Sequence, residues 1–112
     1  MPRDFGVYLS DIIDAIDRVE EYTDGFAFGD FTKDQKTFDA VIRNLEVIGE
    51  AVKAIPDSIR VHEPDIDWRK IAGIRDVLIH EYFGVDSDIV WDVVQTKLPK
   101  LKSACKRLLE SA

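Results

Sequence analysis

The sequence has 112 residues, 46% of them hydrophobic and 33% charged, with a formal net charge of −7. That length suits one domain, residues 1–112, with a modest core, and the composition excludes a disordered chain. Apolar runs of a few residues exclude a bilayer-spanning helix, which needs ~20, and the acidic balance argues against a general nucleic-acid coat, whose phosphate contacts need clustered Lys and Arg.

The N-terminal stretch meets charge at Asp11 and Asp14, so no signal-peptide core is read there, and the cytoplasm is the expected location. Phe5, Tyr8, Leu9, Ile12, Ile13, Ile16, Val19 and Tyr22 recur at three- and four-residue steps and predict one amphipathic helix over 4–23. Asp24-Gly25 ends it, and 25–31 reads as loop. Thr32-Lys33-Asp34-Gln35 has the form of a capping box, Thr at the cap and Gln three residues on. Phe38, Val41, Ile42, Leu45, Ile48, Val52 and Ile55 then mark a second helix over 33–54, stopped by Pro56. Gly49 lies inside it beside Leu45 and Val52. A mid-helix glycine costs about 1 kcal/mol against alanine, which points to another helix approaching closely there.

Residues 56–67 read as a short helix or turn plus loop, with His62 at the surface. Asp67 can cap a third helix from Trp68 to about Tyr82, ended by Gly84. Asp86 or Ser87 caps a fourth, carrying Ile89, Val90, Trp91, Val93 and Val94. Pro99 predicts a break or kink near 95–98, after which Leu98, Leu101, Cys105, Leu108 and Leu109 continue a last helix. No β alternation or internal repeat occurs. The expected fold is all-α: an antiparallel four- to five-helix up-and-down bundle with the last helix split near Pro99. A single cysteine, Cys105, allows no internal disulfide or Cys/His metal framework, and its apolar context places it in the core. Trp68 and Trp91 read as core or interface anchors. Residues 97–112 hold five basic side chains against Glu110 alone. They read either as favourable charge at a helix end or as a basic patch for RNA or an acidic partner.

On an ideal helix of about 100° per residue, Arg75 at zero puts Asp76 near 100°, His80 near 140° and Tyr82 near −20°. Ile71, Ile74, Val77 and Leu78 fall on the opposite side. Asp76 and His80 are i,i+4 neighbours, so the carboxylate can orient the imidazole and favour its charged form. Arg75 offers a planar fork to a phosphate, and Tyr82 adds a hydroxyl. An anionic substrate beside an acid/base histidine fits phosphodiester chemistry with no metal or other cofactor. The same residues also fit an ordinary solvated ion network. Ile79 falls at about 40°, inside the polar arc, a hint that a second copy covers this face as a homodimer.

Arg75-x4-His80-x-Tyr82 resembles the R-x4-H-x-Y signature of HEPN ribonucleases. The run Ala72 to Asp86, the following Ile89-Val90-Trp91-Asp92-Val93-Val94-Gln95 with Leu98-Pro99, and the segment Ala40 to Ala51 are similar to the HepT-like form. The resemblance implies a helical bundle dimerised through the motif face and acting as a metal-independent RNase toxin. It implies a partner, a minimal MntA-like nucleotidyltransferase antitoxin that transfers AMP to the motif tyrosine. It would make Arg75 the phosphate-holding group, His80 the proton-transfer group in attack of a ribose 2′-hydroxyl, and Tyr82 the AMP acceptor and part of the RNA site. Many members carry Asn after the Arg; Asp76 here adds negative charge beside the substrate phosphate. A second function class stands beside this one: a non-catalytic module of the same fold that docks a minimal nucleotidyltransferase. Arg43, Glu46 and Glu50 form a stripe on the second helix. It is either a salt-bridged wet face or, through Glu50, a support for the motif helix. Glu81 falls away from the arc.

Overall fold

The computed structural model describes residues 4–74 and 87–111. Among them the regular structure is helical throughout. The first predicted helix forms α1 (Phe5–Thr23), with Asp4 at its cap accepting from the Gly6 N–H, and Leu9, Ile12, Ala15, Ile16 and Val19 buried. Asp24-Gly25 ends it as expected, with Gly25 at φ +75°, a left-handed turn that suits a residue without Cβ.

The expected loop at 25–31 is corrected by α2 (Phe28–Lys33). Its cap comes from inside: the Asp30 carboxylate accepts from the Ala27 N–H at 2.9 Å. Phe31 is fully buried and meets the Trp91 ring at a centroid distance of 5.0 Å. Thr32 therefore does not cap the second long helix; its hydroxyl donates to the Gly29 carbonyl at 3.0 Å. Asp34 holds that position, accepting from the Thr37 N–H at 3.0 Å. This bond keeps the Asp34 carboxyl below the ordinary carboxylate range.

The helix so capped is α3 (Gln35–Lys53), which runs antiparallel to α1 and packs on it more closely than any other pair. Val41, Leu45, Ile48 and Val52 supply its core stripe. One polar residue, Asn44, sits in the seam, 7% exposed. Its Nδ2 donates to the Ala40 carbonyl at 2.9 Å and its Oδ1 accepts from Arg18 Nε at 2.9 Å. After Pro56 come the single turn α4 (Asp57–Arg60) and a loop, as expected. His62 is exposed. Asp67 caps α5 (Trp68–Ala72), accepting from the Lys70 N–H at 3.2 Å. The expected single helix from Trp68 to Tyr82 is corrected: α5 stops at Ala72, where the Gly73 N–H turns back to the Arg69 and Ile71 carbonyls and interrupts the regular pattern. The expected end at Gly84 and the cap at Asp86 lie outside the described residues.

The chain is next described in α6 (Ser87–Asp92), followed without a break by a π-helical turn, Val93–Lys97, and α7 (Leu98–Ser111). The split near Pro99 thus takes the form of a widened turn, in which the Leu98 N–H reaches back five residues to the Val93 carbonyl. Pro99 has no N–H to give, and its ring crowds the carbonyl four residues earlier, so the regular pattern cannot run through. No helix among the described residues is long and apolar enough to cross a membrane.

Two of the five basic side chains of 97–112 are tied into the bundle. Lys102 pairs with Asp17 at 2.6 Å and Glu20 at 3.2 Å, tying α7 to α1, and the Asp17 contact raises its pKa. Arg107 grips Glu63 with Nη2 at 2.6 Å and Nε at 3.2 Å. Cys105 is in the core as expected, and burial pushes its thiol up to about 12.

Glu63 is the anchor of the loop before α5. Its carboxylate takes Arg107, and its backbone carbonyl accepts the Trp68 indole N–H at 3.0 Å. The Arg107 hydrogen bond holds the Glu63 carboxyl below its ordinary value of 4.5. A carboxylate with a lowered folded pKa contributes stability in full above its unfolded pKa and loses it as pH falls through the folded value. Glu63→Gln is therefore expected to lower the urea midpoint near neutral pH, with the gap to wild type narrowing as pH falls below the ordinary value of 4.5; a gap that is constant with pH would show the carboxylate charge to be irrelevant.

Candidate functional site

Helix α5, which precedes the motif in the chain, is positioned by three contacts. Asp67 caps it. Trp68 is buried to 8% exposure. Ile71 and Ile74 then pack against α3 at Gly49, where a Cβ would lie 3.1 Å from Ile74 Cγ2 and 3.3 Å from the Ile71 carbonyl oxygen. The close approach expected at Gly49 is thus made by the end of α5 and by Ile74. Arg75 follows Ile74 directly in the chain.

Arg75, Asp76, His80 and Tyr82, with Ile79 and Glu81, lie outside the described residues, so their mutual geometry stays an expectation. Glu50 is described. It stands next to Gly49 on α3, half-exposed, with Lys53 Nζ at 3.4 Å from its Oε1. Arg43 and Glu46 of the same stripe meet at 3.7 Å. These two contacts are the ordinary exposed i,i+3 ion pairs of a wet helix face, each worth a few tenths of a kcal/mol.

That face is also one wall of an open groove of ≈ 600 Å³ between α1 and α3. Tyr8 and Asp11 line it from α1, and Arg43, Glu46, Val47, Glu50, Ala51 and Ala54 from α3. Gly49 carries α5 on one side of α3, and the next residue, Glu50, lines the groove toward α1. Tyr8 and Asp11 were not singled out in the sequence. Tyr8 counts as one more apolar position of α1, and Asp11 as one more solvated acid. The only local signal is that Tyr8 places a hydroxyl at the margin of an otherwise aliphatic stripe. Among the described residues, no three His, Cys, Asp or Glu side chains group as metal ligands.

Gly49→Val is expected to destabilise the fold by about 2 kcal/mol, because the Ile71 carbonyl cannot swing away as a side chain could. Urea unfolding measures this. Wild-type stability in the variant would mean that α5 is free to move off α3.

Comparison with known proteins gives a consistent result. Residues 12–108 match the family model described as "Ribonuclease HepT-like". A protein named "Probable ribonuclease HepT" from Thermococcus cleftensis is 47% identical over 108 residues, covering 96% of this chain and 98% of that one. A "Putative RNase" from Caldanaerobacter subterraneus is 41% identical over 103 residues, 92% of each chain. A longer protein from Methanocaldococcus jannaschii, named as both a gamma-glutamylcyclotransferase and a "putative RNase", is 41% identical over 110 residues, which are 98% of this chain and 50% of that one. No solved structure matches.

Proposed function

We propose, because this chain belongs to the HepT-like ribonuclease family, that it is a metal-independent endoribonuclease toxin controlled by a nucleotidyltransferase antitoxin. The observation that carries the reading is the family match across 12–108, which includes the R-x4-H-x-Y spacing of Arg75, His80 and Tyr82. In this reading Arg75 holds the scissile phosphate with its fork of donors. His80 handles the proton as the ribose 2′-oxygen attacks phosphorus, the P–O5′ bond breaks, and the 2′-hydroxyl proton ends on the departing 5′-oxygen. The guanidinium and imidazolium supply the positive charge that a metal would otherwise bring. Asp76 orients His80. Glu50, in the groove beside Gly49, supports the motif helix. A second copy covers Ile79 and brings two Arg/His sets together. The partner transfers AMP to the Tyr82 hydroxyl, adding a phosphodiester charge and a bulky nucleoside where the substrate phosphate sits, and so blocks cleavage. All of this takes place in the cytoplasm.

Two observations favour a second reading, the non-catalytic module that docks a nucleotidyltransferase. The chain carries net charge −7, and Asp76 stands beside the arginine that would bind phosphate. RNA cleavage separates the two. The wild-type protein is expected to cut single-stranded RNA in the presence of EDTA, and Arg75→Ala or His80→Ala to slow it by about 10²- to 10⁴-fold. RNA left equally intact by all three would leave only the docking module. Co-expression with a neighbouring nucleotidyltransferase is expected to add AMP to the wild-type protein and not to Tyr82→Phe. Intact-mass spectra that show no adduct on either protein would remove the tyrosine switch.

A further inference from the structure

We infer that Arg18, with Arg43 and Lys36, forms a second phosphate-holding surface for the RNA strand along the outer α1–α3 seam, separate from the motif. The inference rests on the ribonuclease reading.

Its core is how Arg18 is held. Asp14 stands one turn before it on α1 and Glu21 three residues after. Yet among the described residues Arg18 makes no ion pair, and its Nε goes instead to Asn44 Oδ1 at 2.9 Å. Asn44 is 7% exposed and cannot turn, because its Nδ2 is committed to the Ala40 carbonyl at 2.9 Å. A carboxylate in that place would fix the guanidinium and cancel its charge. A neutral amide fixes it and leaves the charge in full. Of the five guanidinium N–H groups one is used, and the four on Nη1 and Nη2 have no protein partner among the described residues. They form the end-on fork that grips a phosphate in bidentate fashion, on a side chain that is already ordered and exposed.

The surroundings extend the same chemistry. Arg43 is the residue before Asn44. Its side chain is 75% exposed and only loosely paired, with Glu46 at 3.7 Å. Lys36 lies two turns earlier on the same face of α3, exposed and without an ion pair among the described residues. Tyr22, one turn after Arg18, is 37% exposed and offers a ring for base stacking. Helical rise places Arg43 about 10 Å from Glu50 along α3, and Arg43 is the cation of the α1–α3 groove, which Asp11, Glu46 and Glu50 also line. Lys102 and Arg107, by contrast, are held by carboxylates. Phosphates spaced along a strand are the polyanion that exposed, regularly placed cations fit.

The test is steady-state cleavage of a single-stranded RNA of about 20 nucleotides at several salt concentrations. Arg18→Ala and Arg43→Gln are each expected to raise KM about fivefold and to reduce the slope of log KM against log salt by about one, with kcat falling far less. Arg18→Lys, which restores the charge but not the fork, is expected to recover the salt slope and only part of KM. Arg43 makes no buried contact, so Arg43→Gln reports on binding even if Arg18→Ala proves unstable. If the wild-type protein cuts RNA while both variants keep wild-type KM and salt slope, the seam is not an RNA surface and the ribonuclease reading stands. A kcat loss at unchanged KM would likewise overturn it. If the wild-type protein cuts no RNA, the ribonuclease reading falls and this inference with it.

Discussion

The site depends on a missing side chain. At Gly49 the backbone of α3 meets the carbonyl end of α5 with nothing between them, and Ile74 closes the contact at a distance a methyl group would violate. Everything upstream serves to bring α5 to that point at a fixed height. Asp67 caps it, Trp68 is buried, and Glu63 is held from two sides by the Trp68 indole and by Arg107 of the last helix. A helix of five described residues has no stability of its own. It is placed by its neighbours, so the chain leaves α5 from a fixed point.

The use of charge shows a division of labour. The molecule is acidic overall, and where it needs rigidity it spends its bases on carboxylates, Lys102 on Asp17 and Glu20 and Arg107 on Glu63. These pairs link elements far apart in sequence, so they hold the bundle together more than they decorate it. Arg18 is treated differently, because an amide holds it in place and leaves it charged.

Much of this was legible in advance. The long apolar periods of α1 and α3, the turn at Gly25, the cap at Asp67 and the burial of Cys105 all follow from local pattern. Gly49 was legible as a close approach, although not which helix approached. α2 was missed for two reasons: its cap reaches backward from Asp30, and its main anchor, Phe31 on Trp91, spans sixty positions. The Thr32 signal was sound in form but lost to Asp34, because Thr32 was already inside another helix. Lys102 and Arg107 could not be assigned from composition, since their partners lie on α1 and in the loop before α5. The chemistry read on Arg75 to Tyr82 lies outside the described residues. Tyr8 and Asp11 were not legible, because only folding brings them to the groove beside Glu50.

The π-helical turn at Val93–Lys97 works as a phase correction. Buried residues across it recur at strict four-residue steps, Val90, Val94 and Leu98, and after it at the mixed steps Leu101, Ala104, Cys105 and Leu108. A regular helix would rotate the first set steadily out of line; the wider turn takes up that rotation. One continuous rod can thus serve two clients at different angles, the Phe31 cluster with its first half and α1 with its second. Inserting or deleting a single residue in this rod would leave each half intact and misalign the two, so its length is constrained more tightly than its composition.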